Sequence, residues 1–308
     1  YWSDPRIHYV EGSSLDRFAV GELSLRPVRR QRIGLLLDAG IEPELRQRHL
    51  QVADGCRATL GLEIGPVVST DAPLKVSLSL GASGVSWGEL GCPEALLRAG
   101  RQLQAAGATA IAVVARFPDD PDSAALTAYR QGSGVDALAG AEAVISHLLS
   151  LELGLPCAHA PALSPLPLDP LLDPRAAGEE LGHTFLACVL VGLSRAPDLI
   201  PHALDGSGAG LAAEGLRAGD LTADMLGAVV APAAALGGAA VLACAERGIP
   251  VIAVDNPCLL AVTAEALDLE VIPAASYSEA AGLLLALREG ISPAALRRPI
   301  PALQAPAP

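Results

Sequence analysis

The sequence predicts an α/β fold: two Rossmann-like lobes with mostly parallel sheets and a cleft between them. Three observations carry this expectation. Short continuous apolar runs such as Ile33–Leu37, Ala110–Ala115 and Pro250–Val254 have strand length and no polar face, as strands buried on both sides of a parallel sheet require. Helical patterns stand between these runs. Two segments, AAGATAIAVV at 105–114 and AERGIPVIAVD at 245–255, share a helix–Gly–strand pattern with a common IAV. The 308 residues, 51% hydrophobic and 18% charged, suffice for one large or two ordinary folded domains.

The predicted organisation is an N-terminal arm (1–30), a first α/β lobe (31–165), a second α/β lobe (166–290) and a Pro/Ala-rich tail (291–308). The arm has little periodicity and is expected to pack on the body or on another subunit, so a homo-oligomer is an open expectation. Arg26, Arg29, Arg30 and Arg32 read as a solvated face. Ile33–Leu37 is a strand with Asp38-Ala-Gly at its carboxyl end, followed by a helix over about 42–60. Residues 63–69 and 75–80 read as strands. Gly81–Gly88 is a small-residue loop carrying Ser83, Ser86 and Trp87. Residues 94–106 form an amphipathic helix closed by Gly107. Ala110–Ala115 is a buried strand, and Arg116-Phe-Pro-Asp-Asp is its exit loop. The acidic turn 119–122 reads as solvated.

Tyr129–His147 is the principal functional lead. Gly132-Ser-Gly134 looks like a loop without bulk, and a helix is expected to begin near Asp136 and to carry Glu142 and His147. Free amides at a helix start make an anion seat, with Arg130 at its edge. Residues 155–161 form a short strand holding His159, and 163–173 is an irregular proline-rich boundary. Asp173-Pro174 opens a helix bearing the Glu179/His183 pair, read as capping and solvation rather than as a metal arm. Cys188–Leu193 reads as a strand with Arg195 beyond its carboxyl end, and 205–210 as a Gly-rich loop. Gly227–Pro232 is a strand, Gly237-Gly238 a turn into a helix to Arg247, and Pro250–Val254 a strand ending at Asp255-Asn256. A last helix spans about 278–288.

Composition adds a filter. Lys75 is the sole lysine beside 20 arginines, and Asn256 is the sole asparagine. A background that replaces Lys by Arg leaves a lysine where a compact ammonium is needed. The net charge of −13 argues against nucleic acid and against an anionic membrane surface as partners. The six cysteines show no CxxC spacing, so a reduced, cytoplasmic chain with mostly buried thiols is expected rather than a zinc site. Tyr1-Trp-Ser-Asp4 does not read as a signal peptide. Leu226–Ala245 lacks charge, but Pro232 and Gly237-Gly238 split it into strand, turn and helix rather than a membrane span.

Three runs, GATAIAVVARFPDD, YRQGSGVDALAGAEAVISHLL with PCAHAPAL, and DPRAAGEELGHTFLACVLVGLSRAP, resemble an uncharacterised protein family common in cyanobacteria with relatives in plastid-bearing eukaryotes. The resemblance covers about Asp38 to Arg288. It implies a soluble cytosolic or stromal protein and transfers no catalytic residues.

The residues themselves predict a small-molecule-binding α/β protein, read first as a hydrolase- or isomerase-type enzyme acting on a metabolite that bears a carboxylate or phosphate. Arg130, Gly132, Gly134, Asp136, Glu142, Arg195, Gly237, Gly238 and Asn256 are the candidate binding residues. A desolvated Lys75 activating Ser83 or Ser86, with His159 as a proton carrier, is the candidate catalytic set. No ligand spacing supports a metal, and the lack of GxGxxG or a P-loop lysine leaves the cofactor unnamed. The alternative is a non-catalytic metabolite-binding or assembly protein.

Overall fold

The computed structural model describes the chain except residues 1–3, 5, 83–84, 135, 175, 178–185, 203–214, 257–259, 301 and 305–308. The chain divides into two compact units, Tyr1–Ala223 and Asp224–Pro308.

The first unit opens with α1 (Gly12–Ala19) and β1 (Leu23–Arg26). Then come β2 (Ile33–Leu37), α2 (Pro43–Leu60), β3 (Ile64–Ser69), the hairpin β4 (Val76–Leu80) and β5 (Ser86–Leu90), and α3 (Pro93–Ala105). They are followed by β6 (Ala110–Arg116), α4 (Ala124–Arg130), α5 (Ala139–Leu153), β7 (Cys157–Ala162), α6 (Leu186–Leu193) and β8 (Asp198–Pro201). Strands β3-β2-β6-β7 form one parallel sheet in that order.

The pleat sends alternate residues of β2 and β6 to opposite faces. Ile33, Leu35, Leu37, Ala112 and Val114 bury against α2 and α6, through Leu45, Leu186, Leu190 and Leu193. Leu36, Ile111, Val113 and Ala115 bury against α3 and α5, through Leu96, Leu103, Ile145 and Leu149. Covering on both faces is why β2 reads as an unbroken apolar run.

Three sequence expectations change here. Cys188–Leu193 is helix, not strand: LACVLVGL is apolar throughout, and its buried positions Leu186, Leu190 and Leu193 fall at helical spacing. Arg195 therefore follows a helix. Because α6 covers the sheet and β8 pairs antiparallel with β1, the first compact unit extends well past residue 165. The arm is also structured: Glu11 caps α1 by accepting from the Ser13 and Ser14 amides, and α1 lies against α5 with Gly12 beside His147.

The second unit has β9 (Val229–Pro232), α7 (Ala239–Glu246), β10 (Val251–Val254), α8 (Ala264–Leu267), β11 (Ile272–Ala274) and α9 (Tyr277–Arg288). Its parallel sheet has the order β11-β10-β9. The uncharged run 226–245 is thus strand, turn and helix, and among the described residues no helix is long and apolar enough to cross a membrane. Both look-alike segments are helix–Gly–strand, with Gly107 and Gly248 at φ of 89° and 68°.

The hairpin docks on the start of α5 by close backbone approach. A Cβ on Gly140 would lie 2.3 Å from the Ser86 carbonyl oxygen and 2.5 Å from Trp87 Cα. Gly140→Ala is therefore expected to destabilise the first unit by about 1–3 kcal/mol in urea unfolding. Gly55→Ala, in α2 where an added Cβ meets nothing within 4 Å, is expected to stabilise it by about 0.5–1 kcal/mol. Equal effects of the two substitutions would refute the docking geometry.

Candidate functional site

The chain runs from β2 outward to β3, then crosses back to β6 on the other flank of β2. The switch point lies between the carboxyl ends of β2 and β6, where open parallel sheets leave a crevice for ligands. A cleft of about 300 Å³ sits there, lined by Asp38, Gly40, Pro73, Lys75, Arg116 and Asp119, among others.

Asp38, the first residue beyond β2, is 1% exposed. Its Oδ1 accepts from the amides of Gly40 (2.8 Å) and Leu74 (3.0 Å), and its Oδ2 from the amide of Arg116 (3.0 Å). One carboxylate thus holds three segments that converge on the edge. Thr70 adds a fourth tie, its hydroxyl accepting from the Ala39 amide at 2.8 Å.

Arg116 ends β6 and is saturated by acids. Its guanidinium reaches Glu42 Oε2 at 2.9 Å and Asp119 Oδ2 at 2.6 Å. Asp119 also accepts from the Ser164 amide (2.9 Å) and hydroxyl (2.7 Å). Hydrogen bonding from Arg116 holds the Asp119 carboxyl down to about 2, and the same guanidinium lowers Glu42. The acidic turn expected to be merely solvated is therefore part of this network.

Lys75 is exposed at the cleft wall, with φ of +54°. Positive φ is costly for a side chain with a Cβ. The conformation is held from both sides: Leu74, fully buried, donates to Asp38, while the Gly91 amide donates to the Lys75 carbonyl at 3.2 Å. Gly91 leaves room for the side chain, since a Cβ there would sit 2.9 Å from Lys75 Cβ. Among the described residues Lys75 has no ion-pair partner. It is the charged side chain without a partner in a cleft whose other charged groups are hydrogen-bonded, Asp38 by amides and Asp119 by Arg116 and Ser164.

The expected desolvated lysine paired with a serine is not formed. Val76 pairs with Leu90 at one end of the hairpin, and Leu80 pairs with Ser86 at the other. The two ends are separated by roughly 13 Å of strand, beyond reach of a lysine side chain. Ser86 is buried, and its hydroxyl accepts from the Gly140 amide at 3.2 Å, so it serves the start of α5. Ser83 lies outside the described residues, as do Glu179, His183 and the loop 205–210.

Nor is Gly132-Ser-Gly134 an anion seat. The Gly132 amide donates to the Tyr129 carbonyl and the Ser133 amide to the Ala128 carbonyl, closing the C-terminus of α4 as a Schellman motif. Gly132, at φ of 78°, supplies the left-handed turn, Gly134 follows beyond it at φ of 79°, and both are exposed. Helix α5 starts at Ala139, later than expected. Asp136 places its own carboxylate on the Leu138 amide at 2.9 Å, and burial raises its pKa. The Arg130 guanidinium donates to the Pro167 carbonyl at 2.8 Å, fastening α4 to the proline-rich segment.

Two predicted residues do meet. His159 lies mid-strand in β7, opposite Val113, with its Nε2 at 3.9 Å from Glu142 Oε2. Its Nδ1 shares a 2.9 Å hydrogen bond with Ser146 Oγ. His147 Nε2 lies 2.9 Å from Glu11 Oε1 on the same side of the sheet. Burial pushes the His159 pKa down to about 4, against a weaker upward pull from Glu11. Ser146 is 2% exposed, so this pair is interior to the helix–sheet interface and away from the cleft.

In the second unit, Gly238 is the N-cap of α7, with extended backbone and no side-chain cap. Gly237 packs on Val262, where a Cβ would lie 3.0 Å from Cγ1. Asn256 Nδ2 donates to the Tyr277 hydroxyl at 3.0 Å, joining the exit of β10 to α9. Among the described residues no three His, Cys, Asp or Glu side chains are grouped to hold a metal.

Comparison with known proteins agrees with the resemblance. Residues 1–297 match the family described as Protein of unknown function (DUF3326). The chain belongs to that family. It is also 53% identical, over 297 residues, to an uncharacterized lipoprotein of Synechococcus sp., a match covering 96% of this chain and 80% of the relative. No solved structure matches. Family membership thus brings no assigned chemistry, and the site rests on geometry. Asp38 and Arg116 were not among the sequence candidates. The signal lay in their place just beyond or at the ends of apolar strands, but only the sheet order shows that those two ends are neighbours.

Asp38→Asn is expected to destabilise the first unit by about 1–3 kcal/mol, since its amide nitrogen would face an N–H donor that an oxygen now satisfies. Urea unfolding checks this, and an unchanged midpoint would contradict the three-way bridge.

His159 generates a pH prediction. With a folded pKa of about 4 against an ordinary 6.5, the unfolded chain binds the extra proton between those values. Stability from this group is therefore present above about 6.5 and lost as pH falls towards 4. His159→Gln is expected to lose less stability than the wild type between pH 7 and pH 4.5. Parallel losses would show that His159 is not held neutral by burial.

Proposed function

We propose that this chain is a small-molecule-binding protein whose ligand carries a carboxylate or phosphate, seated at the switch-point cleft with Lys75 as its cation. One observation carries the reading. The chain's sole lysine stands with uncommitted charge at the crevice, in a backbone conformation that other residues are arranged to enforce. Backbone strain retained at a cleft supports that reading, since such strain clusters at functional sites.

The chemistry follows from what is already matched. Asp38 oxygens are taken by amides, Asp119 by Arg116 and Ser164, and Arg116 by Glu42 and Asp119. The unmatched group offers three N–H donors and a positive charge, so it selects an acceptor with negative charge. The binding reading is favoured over a hydrolase or isomerase because Ser86 and His159 are both engaged away from Lys75. A cytoplasmic location is part of the proposal. It is supported by Cys56, Cys92, Cys157, Cys188 and Cys244, all free thiols, although the Synechococcus relative is named a lipoprotein. Cell fractionation that finds the protein in the membrane pellet would overturn that location.

Lys75→Gln and Lys75→Gly test the site in a thermal-shift panel of succinate, citrate and glucose 6-phosphate. A ligand at about 100 times its Kd is expected to add about 2.7 kcal/mol to the wild type and nothing to either variant. Unliganded Lys75→Gly is expected to be more stable than the wild type by about 1 kcal/mol, because glycine adopts positive φ without strain. A full ligand shift in Lys75→Gln would sink the proposal.

A further inference from the structure

A second hollow lies in the first unit, near the β1/β8 ribbon and away from the switch-point cleft in sequence and in lining residues. It is the larger, about 580 Å³, and Arg6, His8, Arg29 and Arg195 line it together with Val28 and Leu221. Three guanidiniums and an imidazole thus line one cavity in a chain of net charge −13, with Arg6 already paired with Asp4 at its exposed rim. No carboxylate lines it among the described residues.

The acids nearby in sequence are already engaged. Asp220 accepts two hydrogen bonds from Arg26, at 2.9 and 2.7 Å, and a third from the Arg217 amide. Asp198 accepts from Gln31 Nε2 at 2.8 Å, and Asp4 pairs with Arg6. The four arginines read from sequence as one solvated face separate accordingly. Arg26 pairs with Asp220, Arg30 stands 3.6 Å from Glu63, and Arg32 donates to the Ala106 carbonyl. Arg29 alone of the four has no such partner among the described residues, and it lines the hollow.

We infer that this hollow is a second anion site, which takes a phosphate monoester with an apolar body. Guanidinium groups match phosphate oxygens in paired hydrogen bonds. Val28 and Leu221 supply apolar wall beside them, and the volume lies in the range of small-ligand pockets. His8 is held by its Nδ1 at 3.4 Å from the Arg195 carbonyl, which orients its other ring nitrogen independently of the ligand.

Calorimetric titration of the full chain with phenyl phosphate tests the site. Saturable binding is expected, tighter than for inorganic phosphate because of the apolar wall, and unchanged in Lys75→Gln. Arg29→Gln, an exposed position, is expected to weaken the Kd about tenfold or more, in line with loss of one charged hydrogen bond. Arg195→Gln is expected to do the same. If Arg195→Gln fails to fold, Arg29→Gln alone decides. Wild-type affinity in Arg29→Gln, or the absence of saturable binding to the wild type, overturns the inference. So does co-sedimentation with phosphatidylglycerol vesicles in a protein that ignores phenyl phosphate, since that would make the patch a membrane contact. Loss of phenyl phosphate binding in Lys75→Gln would place the ligand in the other cleft and overturn it as well.

Discussion

A buried carboxylate that satisfies three amides at once is the constraint from which the carboxyl edge of the first unit's sheet is built. Removing Asp38 from water is unfavourable, and the amides of Gly40, Leu74 and Arg116 offset that with charge-assisted hydrogen bonds. Those amides come from the turn into α2, the approach to β4 and the end of β6. The first and last are also joined directly, by the Asp38 amide on the Val114 carbonyl and by Arg116 on Glu42, and Asp38 adds the approach to β4 to that pair. The cleft exists because one acid ties three chain ends without filling the space outside them.

That tie also explains how Lys75 is carried. Its φ of +54° is unfavourable locally, and the bonds from Leu74 to Asp38 and from Gly91 to the Lys75 carbonyl hold it from both sides. Arg116 is held by Glu42 and Asp119, and so paired it braces the wall of the cleft. A hydrogen-bonded frame with one unpaired ammonium is the arrangement on which the proposed binding rests.

Much of the fold was legible because parallel strands buried on both faces leave unbroken apolar runs, as Ile33–Leu37, Ala110–Ala115 and Pro250–Val254 do. The same property misled at Cys188–Leu193, where a helix pressed on a sheet is apolar enough to lose its periodicity. Gly132 and Gly134 read as a loop before a helix, yet a glycine with positive φ commonly closes the helix behind it, as Gly132 does for α4. Lys75 was singled out by composition, through its isolation among arginines. Asp38, Arg116 and Asp119 were not, because their meeting depends on which strands are neighbours, and strand order leaves no local trace.

Ligand-induced amide shifts in the labelled full chain, titrated with succinate, test the central claim most directly. If the carboxyl edge of β2 and β6 is the seat, amides of residues 38–40, 73–76 and 116–119 move together and saturate with one Kd. Saturable shifts confined to other parts of the chain, with these three segments unmoved, would contradict it.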